Sequence, residues 1–124
     1  MQRLFYVGIG GFLGASLRYL ITINFQKFFG TQFPYGTLIV NILGGLFFGL
    51  IMEINSTTTL ISPDLRLFLT TGIMGGLTTF STFSYETVSF FTSRNYTLAC
   101  LNTCLNLFLS FLGIILGKSI LHIR

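Results

Sequence analysis

Charge is what this sequence has least of. Only 8% of its 124 residues are Asp, Glu, Lys or Arg, against roughly 25% in soluble domains. With 52% hydrophobic residues and a mean hydropathy of +0.80, a soluble globular domain is excluded. Acids are scarcest: Glu53, Asp64 and Glu86 are all there are, with one histidine, His122, almost at the end. That leaves no paired carboxylates, no Ser/His/Asp set and no cluster of metal-ligating side chains, so the composition does not describe an enzyme. Cys100 and Cys104 lie four apart inside an apolar run and read as small packing residues, not as a disulfide or metal pair. The seven basic residues outnumber the acids, giving +4, but stand singly along the chain. Nucleic acid is therefore not an expected partner.

What the sequence does have is apolar length. Crossing about 30 Å of hydrocarbon takes about 20 mostly apolar residues in a helix, and four segments qualify: Leu4 to Ile23, Gly36 to Ile54, Leu67 to Phe91 and Leu98 to Leu116. The first runs through Arg18 to Ile23 without a new start, so it reads as a spanning helix and not as a cleaved leader. The third differs from the others. Gly72, Gly75 and Gly76 are followed at once by Thr78, Thr79, Ser81, Thr82 and Ser84. Non-helical backbone at membrane depth is tolerated only where protein or water surrounds it. Two half-helices are predicted to meet near Gly75 to Thr79, where bare carbonyls and amides can hold ions. Loops over residues 24–35, 55–63 and 93–95 leave no room for a soluble domain, and residues 1–124 read as one membrane domain. With four spans, one side collects Arg3, Arg66, Lys118 and Arg124, the other Lys27 and Arg94, with Arg18 near it. The bias is weak for a rule that orients proteins by counting Lys and Arg in loops, so insertion both ways round is expected.

Several polar residues sit where lipid rejects them. Asn102, Asn106 and Ser110 follow at four-residue steps, continued by Gly113 and Gly117, which puts them on one helix face. Such a stripe serves interhelical packing or lines a pore. In the second span Asn41 shares a face with Gly45 and Gly49, and in the first Gly10 and Gly14 lead to Arg18. Arg18 lies close enough to the span's end to snorkel, which suits an interfacial or vestibule role. Glu86 is the one acid well inside a span. It reads as a vestibule residue, a partner for Arg18, or a mark of proton coupling. Phe80 and Phe83 follow the break, three apart among hydroxyls, and a phenyl ring has an electropositive edge that can face an anion. Together these residues point to passage of a small ion or solute, anionic and without a strongly charged site.

Three stretches, Gly10-Gly11-Phe12-Leu13-Gly14-Ala15-Ser16-Leu17-Arg18-Tyr19, Gly36-Thr37-Leu38-Ile39-Val40-Asn41 and Thr71-Gly72-Ile73-Met74-Gly75-Gly76-Leu77-Thr78-Thr79-Phe80-Ser81-Thr82-Phe83-Ser84, resemble the Fluc or CrcB family of fluoride-specific channels. The resemblance covers three of the four spans in order. It implies an all-α integral membrane protein with four transmembrane helices, the third broken, forming an antiparallel dual-topology dimer in the cell membrane. Two fluoride pathways would run at the subunit interface, exporting fluoride passively and relieving its toxicity in the cytoplasm. Asn41, Phe80 and Phe83 would line each pathway with ring edges toward fluoride, and Ser110, with Asn106, would belong to a polar track. In that track Ile114 stands where relatives carry a hydroxyl. Arg18 and Glu86 would sit in a vestibule or gate. A structural sodium ion would rest on the backbone carbonyls of Gly75 and Thr78 at the dimer centre. The partner would be a second copy or a paired homologue. The rival is a small dual-topology, proton-coupled multidrug exporter, which needs a membrane-embedded acid, usually in the first helix. This first span has Arg18 and no acid.

Overall fold

The computed structural model describes residues 1–122, whose regular structure is all helical with no strand among them. Three helices are long and apolar enough to cross a membrane: α1 (Gln2–Phe29), α2 (Tyr35–Thr57) and α6 (Tyr96–Ser119). At 1.5 Å per residue the 28 residues of α1 extend about 42 Å, past the hydrocarbon. Gly30 ends α1 in the left-handed region (φ 80), and its N–H donates to the Gln26 carbonyl at 2.9 Å.

The third predicted span is a bent path. The Ser62 hydroxyl accepts from the Leu65 N–H at 3.2 Å and Pro63 follows, a strong helix start. Helix α3 (Pro63–Leu67) runs into a π-helical stretch (Phe68–Met74) and one further turn, α4 (Gly75–Leu77). Thr78 and Thr79 are extended (ψ 156 and 118). Helix α5 (Phe80–Thr92) then starts, capped by the Thr79 hydroxyl, which accepts from the Thr82 N–H at 3.2 Å. The break thus falls inside the predicted window but is only these two residues. Gly75 is itself helical (φ −62, ψ −37).

The neighbouring glycines serve close approach to α1. A Cβ on Gly76 would lie 2.6 Å from the Gly11 carbonyl oxygen, and one on Gly10 would lie 2.6 Å from that of Phe68. Helix α1 packs on the π-helical stretch and α4, α2 packs along α6, and α5 lies on α6. The α2–α6 seam is also glycine-built: a Cβ on Gly45 would meet the Ser110 carbonyl oxygen at 2.7 Å, and one on Gly113 that of Ile42 at 2.8 Å. The small-residue stripes are packing surfaces along these lengths, as expected where lipid offers no hydrophobic drive for helix association. Val40, Met74 and Leu77 form a small core, while Phe5, Phe12 and Phe108 point outward.

The start of α1 and the end of α6 lie at one end of the bundle. Arg3 Nε pairs with Asp64 at 3.1 Å, and His122 Nε2 with the buried Glu53 at 2.9 Å. Those contacts gather the start of α1, the ends of α2 and α6, and the start of α3. Of the basic residues expected on that side, Arg124 lies outside the described residues.

The turn from α5 to α6 closes with the Asn95 N–H on the Phe90 carbonyl at 2.8 Å and the Arg94 N–H on that of Phe91 at 3.0 Å. This double bond pattern places Arg94 where glycine is usual, and its φ is 61. A left-handed L-residue costs about 1–2 kcal/mol, partly offset by the unfolded-state entropy of glycine. Arg94→Gly is expected to raise stability by about 1 kcal/mol, read as a higher midpoint of thermal unfolding in detergent. A lower midpoint would show that the Arg94 side chain stabilises the turn by more than its strain.

Candidate functional site

The helix break, α2 and α6 enclose an open-sided groove of about 740 Å³. Asn41, Phe80, Phe83, Asn106, Ser110, Gly75 and Thr78, singled out from the sequence, all line it. Arg18 and Glu86 do not. Arg18 Nη1 instead approaches the Thr78 carbonyl from the α1 side at 3.5 Å. Glu86 accepts from the Thr37 hydroxyl at 2.6 Å, and its Oε2 is buried with no partner among the described residues. The two are therefore not paired with each other: Glu86 meets α2, and Arg18 meets the end of α4.

The break is held by one side chain. Thr79 N–H, which an unbroken helix would direct at the Gly75 carbonyl, donates to Asn41 Oδ1 at 2.9 Å, while Asn41 Nδ2 donates to the Thr79 carbonyl at 3.2 Å. Asn41 thus replaces the bond lost at the Thr79 N–H, and with the Thr79 hydroxyl on the Thr82 N–H it satisfies part of the backbone the break frees at membrane depth. Its second amide hydrogen goes to Asn106 Oδ1 at 2.9 Å. Asn106 Nδ2 in turn donates to Asn102 Oδ1 at 2.9 Å and to the Asn102 carbonyl at 3.0 Å. A carboxamide has two N–H donors, so neither Asn41 nor Asn106 offers a free N–H to the groove. Most hydroxyls along the bent path are engaged too, Thr78 on Met74 and Thr79 on Thr82. The Ser110 hydroxyl lines the groove with no hydrogen bond to any described residue.

Phe80 is 79% exposed, its ring 5.6 Å from that of Phe83 and tilted by 58°. Ser81, Thr82, Thr71 and Gly75 are exposed as well. Sequence spacing did not single out Thr103 and Gly44, which also line the groove. Gly44 leaves space that the Thr78 side chain fills, so a Cβ there would overlap the Thr78 methyl. Thr37 gave no signal, because its partner lies 49 residues away.

For a metal, the described residues offer no group of three His, Cys, Asp or Glu side chains. What they offer is carbonyl oxygen at the C-terminal end of α4, where Gly75 has lost the Thr79 N–H. That donor set fits a hard cation and not a soft transition metal, with the Arg18 guanidinium drawing on the same Thr78 oxygen.

The family description "CrcB-like protein, Camphor Resistance (CrcB)" matches residues 5–118. The chain belongs to the CrcB family. Relatives run close to full length: a "Fluoride-specific ion channel FluC" of Clostridium perfringens (strain 13 / Type A) is 59% identical over 99% of this chain and 98% of its own. That of Clostridium novyi (strain NT) is 58% identical over 92% of this chain and 89% of its own. One of Sorangium cellulosum (strain So ce56) is 43% identical over 94% of this chain and 92% of its own. With three long apolar helices and a bent one, this CrcB member is a multi-pass membrane protein.

Proposed function

We propose that this CrcB member is an ion channel that lets fluoride leave the cell down its electrochemical gradient, and not an enzyme. The observation that carries the reading is the groove, with the tilted Phe80 and Phe83 rings beside the unpartnered Ser110 hydroxyl, in a chain whose near-full-length relatives are fluoride-specific channels. No lysine, arginine or carboxylate lines it. Ring edges and a hydroxyl bind an anion weakly enough to release it, as conduction requires. Helix α5 starts at Phe80 beside the groove, and a helix N-terminus favours an anion.

A single chain leaves the groove open on one side, with Phe80, Ser81 and Thr82 uncovered at membrane depth. Polar groups there need protein or water around them. A second copy, antiparallel as the weak Lys/Arg bias permits, would wall the groove by a two-fold contact and give two pathways. The partner is then this same chain or a paired homologue. Gly75 and Thr78 carbonyls from both copies would hold one sodium ion, whose charge would neutralise two facing half-helix C-termini. In that arrangement Arg18, at the Thr78 carbonyl, and Glu86, on Thr37, would stand off the groove, Arg18 beside the break and Glu86 further along α5.

Expression in a bacterium lacking its own fluoride exporter tests the reading: restored growth in millimolar fluoride is expected, and continued sensitivity with the protein present in the membrane would oppose it. Replacing sodium by a large organic cation on both sides of a vesicle is expected to remove most fluoride flux. Unaltered flux would count against the sodium site. The multidrug-exporter reading has no acid in α1 to exchange protons, and the one acid well inside a span, Glu86, is held by Thr37 off the groove.

A further inference from the structure

The Asn41–Asn106 contact is one link of a longer chain of hydrogen bonds that the groove alone does not explain. Asn102, 0% exposed, donates from Nδ2 to the Thr87 hydroxyl at 3.0 Å, and that hydroxyl donates to the Phe83 carbonyl at 2.9 Å. From the break onward the bonds run Thr79 N–H to Asn41, Asn41 to Asn106, Asn106 to Asn102, Asn102 to Thr87, and Thr87 to the Phe83 carbonyl. Every donor points the same way. The two ends fix this direction: a backbone N–H can only donate and a backbone carbonyl can only accept, so each carboxamide between them has one workable orientation. The relay leaves α5 at its cap, crosses α2 and α6, and returns to α5 about two turns later, at Thr87, whose hydroxyl then bonds back one turn to the Phe83 carbonyl. It therefore ties both ends of the first two turns of α5, which carry Phe80 and Phe83, to α2 and α6.

We infer that Asn102 and Thr87, which do not line the groove, are positioning residues that set the Phe80 and Phe83 rings through this one-way relay. The inference rests on the channel reading for its functional consequence, but the relay itself is a structural claim that can be tested without transport. Chains of aligned hydrogen bonds in a low-dielectric interior strengthen one another, so breaking a distant link should loosen the break itself. A core made only of apolar contacts between α5 and α6 would not transmit the change.

The test compares Thr87→Val, which keeps the shape and removes the hydroxyl, with Thr87→Ser, which keeps the hydroxyl. Two readouts are taken on reconstituted full-length protein: fluoride efflux, and the amide proton shift of Thr79 by NMR. Thr87→Val is expected to lower efflux by about tenfold and move the Thr79 amide upfield, while Thr87→Ser stays within about twofold of wild type in efflux and leaves the amide in place. A folded Thr87→Val with wild-type efflux and an unmoved Thr79 amide would overturn the relay, as would equal losses in both variants. Should Thr87→Val not fold, the wild type still decides. Slowly exchanging side-chain amide protons on Asn102 and Asn106 are expected, and rapid exchange would overturn the proposal. Absent wild-type efflux with the amide shift intact would instead fault the channel reading and leave the relay standing.

Discussion

Phe80→Ile and Phe83→Ile are each expected to cut fluoride efflux by about twofold to tenfold, and together by about tenfold or more. Isoleucine keeps apolar bulk but lacks the electropositive ring edge. Aromatic edge interactions amount to about 0.5–1.5 kcal/mol each, and 1.36 kcal/mol is tenfold in a rate. The rings stand 5.6 Å apart at a 58° tilt, so an anion in the groove can meet edge carbons of both. Phe80 is 79% exposed and packs little within its own chain, which argues that its removal leaves the fold intact. Efflux like wild type from the folded double variant would remove the rings from the mechanism.

The second large effect concerns folding. A Cβ on Gly117 would overlap the Leu46 carbonyl and lie 2.8 Å from the Leu50 N. Those are backbone atoms that cannot rotate away, so Gly117→Val must push α6 off α2. Overpacking of this kind costs about 1–3 kcal/mol or more, and here it also strains the Asn41–Asn106 contact on the same seam. Loss of a monodisperse folded species in detergent is expected. The control is Gly8→Ala, whose Cβ would meet nothing within 4 Å; helix propensity makes it neutral or slightly stabilising, by up to about 1 kcal/mol. A well-folded Gly117→Val would mean the α2–α6 seam is looser than its geometry implies.

Much of this was legible in the sequence because the membrane makes it so. Apolar length set α2 and α6 to within three residues, and the glycine–hydroxyl switch at residues 72–84 located the break. Helix α1 instead runs on to Phe29, six residues past the expected end at Ile23 and into the expected loop. The glycines were harder to read. Gly72 and Gly76 signalled a break, yet they are helical and serve the approach of α1, since a small residue is needed for either purpose. The four-residue step of Asn102, Asn106 and Ser110 gave one helix face correctly, but not that Asn106 and Ser110 line the groove while Asn102 does not. Asn102 is buried against Thr87 and Asn106 against Asn41, while Ser110 is left with a free hydroxyl. Periodicity fixes a face and says nothing of what packs on it. The same gap explains Glu86, which pairs with Thr37 across 49 residues and not with Arg18.

The central claim is selective fluoride conduction, and anion release from liposomes tests it most directly. Purified protein is reconstituted in sodium-containing buffer into vesicles loaded with potassium fluoride or potassium chloride, with valinomycin added to balance charge. Fast fluoride loss with chloride retained is the expected result. Fluoride held as firmly as chloride by vesicles containing folded protein, alone and with any paired homologue, would contradict it.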